Sequence, residues 1–407
     1  MKKIIAVNAG SSSLKFQLLQ MPEDNNQEVF VMIEGLFERI GLDCPVLTIK
    51  YRPDGENLVK ERKEILFKNH AEAVEALIAI LIEKRIVSSL NEIAGIGHRI
   101  VHGGERFKDS VILDDEVIKE IEKVSDLAPL HNPANLIGIR AFQKALPNVI
   151  QVGVFDTSFH QTMPEESYMY AVPFEWYEKY GVRKYGFHGT SHKYVALEAS
   201  RYLKKPIEEL RLVTAHIGNG GSLAAIKYGK CVDTSMGFTP LAGIPMGTRS
   251  GSIDPAIIEF IANKENLNIH EITAILNKKS GYLGIFGCSS DARDLRDAQS
   301  AGSHLADLVI EMQNKSIADY ISSYYGYMGG IDAIIFTAGI GEKSPQTREE
   351  VCDRLAEAYG IKIDKKLNEV KGEFLDLSLP DSKIKVLVIP TNEELMIALD
   401  VMRLSSK

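Results

Sequence analysis

The chain has 407 residues, 45% of them hydrophobic and 25% charged, with a formal net charge of −8. That length suits two domains of ordinary globular composition, and the acidic balance without any basic stripe argues against a nucleic-acid partner. No window approaches 18 uninterrupted apolar residues, which excludes a membrane-spanning helix, and Cys44, Cys231, Cys288 and Cys352 are scattered without a CxxC, as fits a reducing cytoplasm better than disulfides or zinc.

Ile4–Leu18 (IIAVNAGSSSLKFQL) reads as strand, polar Asn/Gly/Ser turn, strand. Such a turn offers backbone N–H groups and hydroxyls to an anion, with Lys15 adding positive charge. A cleaved signal peptide would remove this motif, so a cytoplasmic location is expected. More strands follow over residues 28–64, with a Pro53-Asp54-Gly55 turn. A helix is expected over residues 69–84, with Val74, Leu77, Ile78 and Leu81 on one face. A short strand over 93–96 leads into GHRIVHGGER. Residues 115–124 read as helix, and Asn132-Pro133 as an N-cap followed by Pro, opening a helix to about Ala145. The strand 149–155 ends at Asp156. An aromatic-rich loop spans 168–185, and a helix follows YGFHGTSH to about Leu203.

Leu212–Ile226 (LVTAHIGNGGSLAAI) repeats the opening pattern of apolar run, Gly/Asn/Ser turn and apolar run. Two copies of one phosphate-shaped hairpin imply a duplicated fold with a nucleotide between the halves. Asp254-Pro255 opens another helix, and a long helix is expected over 302–325. A strand over 333–337 runs into the glycine-rich turn AGIGE. A strand over 384–389, a turn at Thr391-Asn392-Glu393-Glu394 and a helix over 395–404 close the chain. Strands alternating with helices imply α/β layers, though the early cluster of strands argues against a purely parallel sheet.

Three glycines in Gly218-Asn219-Gly220-Gly221 point to a backbone that something approaches closely. GxxxxGK[ST] and GxGxxG are both absent. AGIGE just past a strand is where α/β proteins bind ligands. Arg99 and Arg249 are expected in glycine-flanked loops, each able to present a planar fork to a phosphate or carboxylate or to form a surface ion pair. His188 and His192 are four apart, but no intervening Glu or third ligand supports zinc, and an electrostatic role for His188 suits the site better. Asp156, Glu393 and Glu394 follow strands, where a carboxylate can orient a metal or simply cap a turn.

Together NAGSSSLKF, GHRIVHGGERF, APLHNPANL, VFDTSFHQTMP, YGFHGTSHKYV, HIGNGGS, DTSMGFTPLAG, MGTRSG, FTAGIGE and IPTNEEL resemble the acetate kinases, in order from residue 4 to about 398. The resemblance implies an α/β fold of two duplicated actin-like (ribonuclease-H-like) domains with mixed central sheets and an interdomain nucleotide cleft. The first domain would comprise 1–150 plus the returning segment 385–407, and the second 151–384. It also implies reversible phosphoryl transfer from ATP to acetate, giving ADP and acetyl phosphate, with Mg²⁺ (or Mn²⁺) in a cytoplasmic homodimer.

By the same resemblance, Asn8 and Glu393 associate with the metal, and Ser11, Ser13 and Lys15 form the first phosphate turn. Arg99 and Arg249 are active-site arginines, His188 the transition-state stabiliser, His216 a second active-site histidine and Asp156 the residue assigned as acid/base. Val101, Leu130, Phe187 and Pro240 form the pocket for the acetate methyl, with Arg99 beside it. Nucleotide contacts fall on His216, Ile217, Gly218, Asn219 and Gly220, on Asp291, Ala292 and Arg293, and on Gly339, Ile340, Gly341, Glu342 and Lys343. Lys343 stands where the family usually has Asn, Ala292 where a larger residue is common, Ser252 for Asp and Ala242 for Glu; no catalytic position is altered.

A carboxylic acid with a pKa near that of Glu, about 4.3, is already ionised at neutral pH, so no base is needed. Asp156 is therefore expected to orient Mg²⁺ together with Glu393. The rivals are a propionate or butyrate kinase, differing only in the pocket, and a non-catalytic actin-like or nucleotide-sensing relative, against which Arg99, His188 and Arg249 argue.

Overall fold

The computed structural model describes residues 1–23, 28–53, 55, 57–129 and 131–406. The chain divides into two compact units, Met1–Ser158 with Asn392–Lys407, and Phe159–Thr391. Among the described residues no helix is long and apolar enough to cross a membrane, and the four cysteines are unpaired, with Cys231 and Cys352 buried.

In the first unit, β1 (Lys2–Ala9), β2 (Ser13–Met21), β3 (Phe30–Glu38), β4 (Val46–Tyr51) and β5 (Val59–Glu64) form an antiparallel meander. β6 (Ile93–Ile100) then pairs parallel with β1, β8 (Gln151–Phe155) parallel with β6, and β7 (Val111–Ile112) antiparallel at the edge. The helices His70–Glu83 and Asn132–Ala145 supply the crossovers that parallel pairing demands. Alternation along β1 serves two cores. Ile5 and Val7 join Val74, Leu77, Leu81 and Phe142 of the crossover helices. Ile4 and Ala6 join Ile397, Ala398 and Val401 of the last helix, Glu393–Ser405. That helix approaches β6 because Gly97 has no side chain: a Cβ there would lie 2.2 Å from Ile397 Cγ2.

The second unit repeats the pattern. β9 (Arg211–Ile217), β10 (Gly221–Lys227) and β11 (Lys230–Thr234) form the meander, β12 (Ala333–Thr337) and β14 (Lys385–Val388) the parallel strands, and β13 (Leu375–Asp376) the antiparallel edge. Val195, Ala196 and Ala199 of the helix Gly189–Leu203 bury one face against Leu212, Ala224, Ile226, Ala333, Ile335 and Leu387. The core order β3-β2-β1-β6-β8 of one sheet matches β11-β10-β9-β12-β14 of the other. The fold is thus two duplicated α/β units, each built on a mixed sheet.

Several local expectations need correction. β6 runs on through Arg99, which therefore lies on a strand and not in a loop. Glu393 and Glu394 open the last helix rather than a turn, because the Asn392 side chain accepts from Leu395 N and caps it. Asn132 is the first helical residue and His131 the cap position, since the Asn132 amide bonds the chain near His102 instead. Residues 338–343 coil into a short helix, and the aromatic stretch follows the helix Glu165–Tyr168 and contains the helix Phe174–Tyr180. Asp54 of the expected Pro53-Asp54-Gly55 turn lies outside the described residues.

Candidate active site

In the first unit, parallel pairing of β6 and β8 sets Arg99 opposite Val154, and Asp156 N donates to the Ile100 carbonyl at 2.9 Å. This brings the Arg99 side chain onto Asp156, a buried carboxylate just past the end of β8. Arg99 Nε donates to Oδ1 at 3.0 Å and Nη2 to Oδ2 at 2.6 Å, the two-pronged geometry that a guanidinium makes with a carboxylate. Glu393 Oε2 lies 3.9 Å from Arg99 Nε. Burial works against the Arg99 charge, but Asp156, Glu393 and Glu394 outweigh it and hold its pKa above the ordinary value.

Asn8 on β1 pairs with Lys15 on β2, and Lys15 is ion-paired with Glu394, the neighbour of Glu393. The first turn of the last helix and the β1–β2 turn thus share one corner. Ser11 at that turn is exposed and Ser13 half-buried. Asn135 ties the corner to the segment after β6: its Nδ2 donates to the Ala9 carbonyl at 2.7 Å and its Oδ1 accepts from Val101 N at 3.2 Å. Val101 is buried, and Leu130 lies outside the described residues.

Among the described residues no cluster of three or more His, Cys, Asp or Glu is placed to hold a metal. The oxygens of Asn8, Glu393 and Asp156 are nonetheless a hard-donor set. Mg²⁺ is usually held by one or two carboxylates together with substrate phosphates and water, so these residues fit it.

In the second unit an open pocket of about 850 Å³ is lined by Gly218, Asn219, Asp291, Ala292, Arg293, Gly339, Ile340 and Lys343. These come from the β9–β10 turn, the start of the helix Ala292–Ser300 and the short helix Ala338–Lys343. The Arg293 side chain holds the Asp291 carboxyl down at about 2, and Asp291 also caps its helix by accepting from Arg293 N at 2.8 Å. Ile217, Gly220, Gly341, Glu342 and His216 do not line this pocket. Ile217 is core, and Glu342 Oε1 accepts from Ala338 N (2.8 Å) and Thr391 N (3.1 Å), holding the short helix from behind. Tyr282, Arg296 and Lys371 line the pocket without having been expected. Arg296 sits one helical turn beyond Ala292 and Arg293, a legible i+3/i+4 signal; nothing local marks Lys371.

A second cluster surrounds Gly220. A Cβ there would lie 3.4 Å from Arg249 Nη1 and 3.6 Å from His188 Nε2. His188 stands at the N-cap position of the helix Gly189–Leu203, without a side-chain capping bond, at φ 58°, a left-handed conformation that histidine adopts more readily than most residues. Its ring stacks on His216 at 4.1 Å. Arg249 Nη1 donates to the Pro240 carbonyl at 3.1 Å, and no carboxylate pairs with Arg249 among the described residues; burial alone pulls its pKa down. Pro240 is half-buried and Phe187 buried. His192, the fourth residue past His188, is buried and spans Thr214 and Ser222.

Comparison with known proteins agrees along the whole chain. A model described as "Acetokinase family" matches residues 3–399. The protein named acetate kinase from Geobacillus sp. (strain WCH70) is 55% identical over 406 residues, covering 100% of both chains. The crystal structure of Porphyromonas gingivalis acetate kinase superposes with a TM-score of 0.93 at 45% identity, covering 99% of this chain and 100% of that one. A propionate kinase from Francisella tularensis gives 0.90 at 39%, with the same coverage. With the match unbroken through both sheets and every cluster described above, the chain belongs to the acetokinase family.

Proposed function

We propose that this protein is an acetate kinase, transferring the γ-phosphoryl group of ATP reversibly to acetate to give acetyl phosphate and ADP. The observation that carries the reading is the full-length 55% identity to a protein named acetate kinase, in a chain that holds Arg249 beside His188 with no carboxylate partner among the described residues.

Phosphoryl transfer proceeds through a loose transition state with charge spread over three equatorial oxygens, so positioning and electrostatics supply most of the catalysis. Arg249 and His188 are the donors for those oxygens, with the nucleotide in the pocket from Gly218 to Lys343. Arg99, held by Asp156, orients the acetate carboxylate. Val101, Leu130, Phe187 and Pro240 receive the methyl group. Asn8 and Glu393 would hold Mg²⁺, aided by Asp156, and the ion supplies neutralisation of the phosphate charge. Acetate arrives ionised, so Asp156 need not remove a proton. The bidentate pair makes it first a positioning group for Arg99. A cytoplasmic homodimer completes the proposal.

The test is hydroxylamine trapping of acyl phosphate from ATP and Mg²⁺ with acetate, propionate or butyrate. We expect acetate to lead. One methylene is worth about 1–3 kcal/mol in such a pocket, so propionate should react more weakly and not be excluded. ATP binding without acyl phosphate in either direction would refute the enzyme reading.

A further inference from the structure

Ser222 Oγ lies 2.8 Å from His188 Nδ1 and 2.8 Å from His192 Nε2. On the far side of His192, Nδ1 lies 2.7 Å from Thr214 Oγ1. His192 and Ser222 are fully buried. Burial keeps His192 neutral, with a single ring N–H. A hydroxyl has one proton and two lone pairs, so Ser222 can donate to only one of the two histidines. Where Ser222 donates within the row, Thr214–His192–Ser222–His188 has two polarities, and if it accepted from both histidines His188 would carry its proton on Nδ1, as in the second.

In one, Thr214 donates to His192 Nδ1, His192 Nε2–H donates to Ser222, and Ser222 donates to His188 Nδ1. His188 is then neutral with its proton on Nε2. In the other, every bond reverses and His188 carries its proton on Nδ1. The charged and titratable groups facing His188 decide between them. Arg249 Nη1 and His188 Nε2 approach the same point beside Gly220, at 3.4 and 3.6 Å. His216 stacks on the ring with its own Nδ1 on the Ser191 hydroxyl at 2.8 Å, and His192 lies behind. A second positive charge beside Arg249 is disfavoured, and a neutral ring with a bare Nε2 would turn a lone pair toward an incoming phosphoryl oxygen. Only the first polarity gives an uncharged donor.

We propose that Ser222 and His192 are positioning residues that fix His188 as its Nε2–H tautomer, so that it meets the phosphoryl oxygens as a neutral hydrogen-bond donor. This rests on the acetate kinase reading for its purpose, but the tautomer itself is measurable without turnover.

The experiment is ¹⁵N NMR of the histidine-labelled full chain, with kinetics of Ser222→Ala, His192→Leu and His192→Gln. Native His188 should show a protonated Nε2 and an unprotonated Nδ1 through neutral pH. Ser222→Ala should mix the tautomers and lower kcat about tenfold or more, a part of the roughly 10²–10³ that losing a donor outright costs, with KM for ATP and acetate changed little. His192→Gln, whose amide donates to Ser222 while its carbonyl accepts from Thr214, should recover most of the tautomer and rate that His192→Leu loses. A native His188 protonated on Nδ1 overturns the proposal, as does a Ser222→Ala enzyme with unchanged tautomer and kcat. A failure of the native protein to make acetyl phosphate would instead strike the function reading and leave the tautomer result standing.

Discussion

Arg99 and Arg249 are read alike from their glycine-flanked sequences, yet their surroundings are opposite. Arg99 is clamped by the Asp156 carboxylate, with Glu393 nearby. Arg249 bonds the Pro240 carbonyl and Met246 Sδ and has no carboxylate partner among the described residues, and burial lowers its pKa. A guanidinium half-buried without a counter-charge is destabilised, and an arriving anion would relieve it. The contrast teaches that two arginines with alike sequence flanks differ in charge compensation: one is clamped by a carboxylate, and the other, in the proposed function, pairs with the incoming phosphoryl group.

The sharpest way to break this comparison is to remove each arginine's distinguishing feature. Arg249→Ala should lower kcat about 10²–10³-fold, as losing one transition-state donor does at comparable sites. A small effect on kcat with a large one on KM would make Arg249 a binding group only. Asp156→Asn should free Arg99 and cost about 10²-fold. Assayed across magnesium concentrations, the defect should ease as magnesium rises. A defect constant in magnesium and titrating with pH would mark Asp156 as a base.

Gly97→Ala probes the support behind Glu393. With its Cβ 2.2 Å from Ile397, it should cost about 1–3 kcal/mol in thermal or denaturant unfolding, and the magnesium requirement should rise as the last helix shifts. Gly220→Ala adds a methyl in ordinary contact with Arg249 and His188. It should cost about tenfold in kcat with little loss of stability; a larger fall than Arg249→Ala would show that the turn, not the arginine, is the critical element.

The smallest effect concerns pH. Burial lowers His98 to about 4, against an unfolded value near 6.5. The unfolded chain then binds more protons between those values, so stability is full above about pH 6.5 and falls as pH drops toward 4. His98→Gln should flatten the acid limb of a stability–pH curve, by about 1 kcal/mol between pH 6.5 and 5.5. An unchanged limb would place the loss on the other buried histidines, His102, which burial lowers to about 3, and His192, which burial lowers well below its ordinary value.

Local pattern was informative where local physics governs. Apolar runs flanking Gly/Asn/Ser turns exposed both hairpins, and Val74, Leu77 and Leu81 at helical spacing exposed the first crossover helix. Chain-neighbour chemistry misled at element ends. Asn132-Pro133 resembles a cap, but the amide of Asn132 is drawn to His102 thirty residues away. Glu393 looked like a turn residue because the capping by Asn392 is a ±2-residue matter that sequence resolves poorly.

The sequence alone determined the duplicated hairpins, the α/β class and the residue types able to meet phosphate and carboxylate, because turn chemistry and side-chain period are local properties. Only tertiary structure decided that Asp156 holds Arg99, that Arg249 has no carboxylate partner among the described residues, and that Ser222 stands between His188 and His192. Those pairings join residues 57 and 30–34 positions apart through strand register. Charge compensation and tautomer depend on which groups meet at about 3 Å, a fact that no sequence interval encodes.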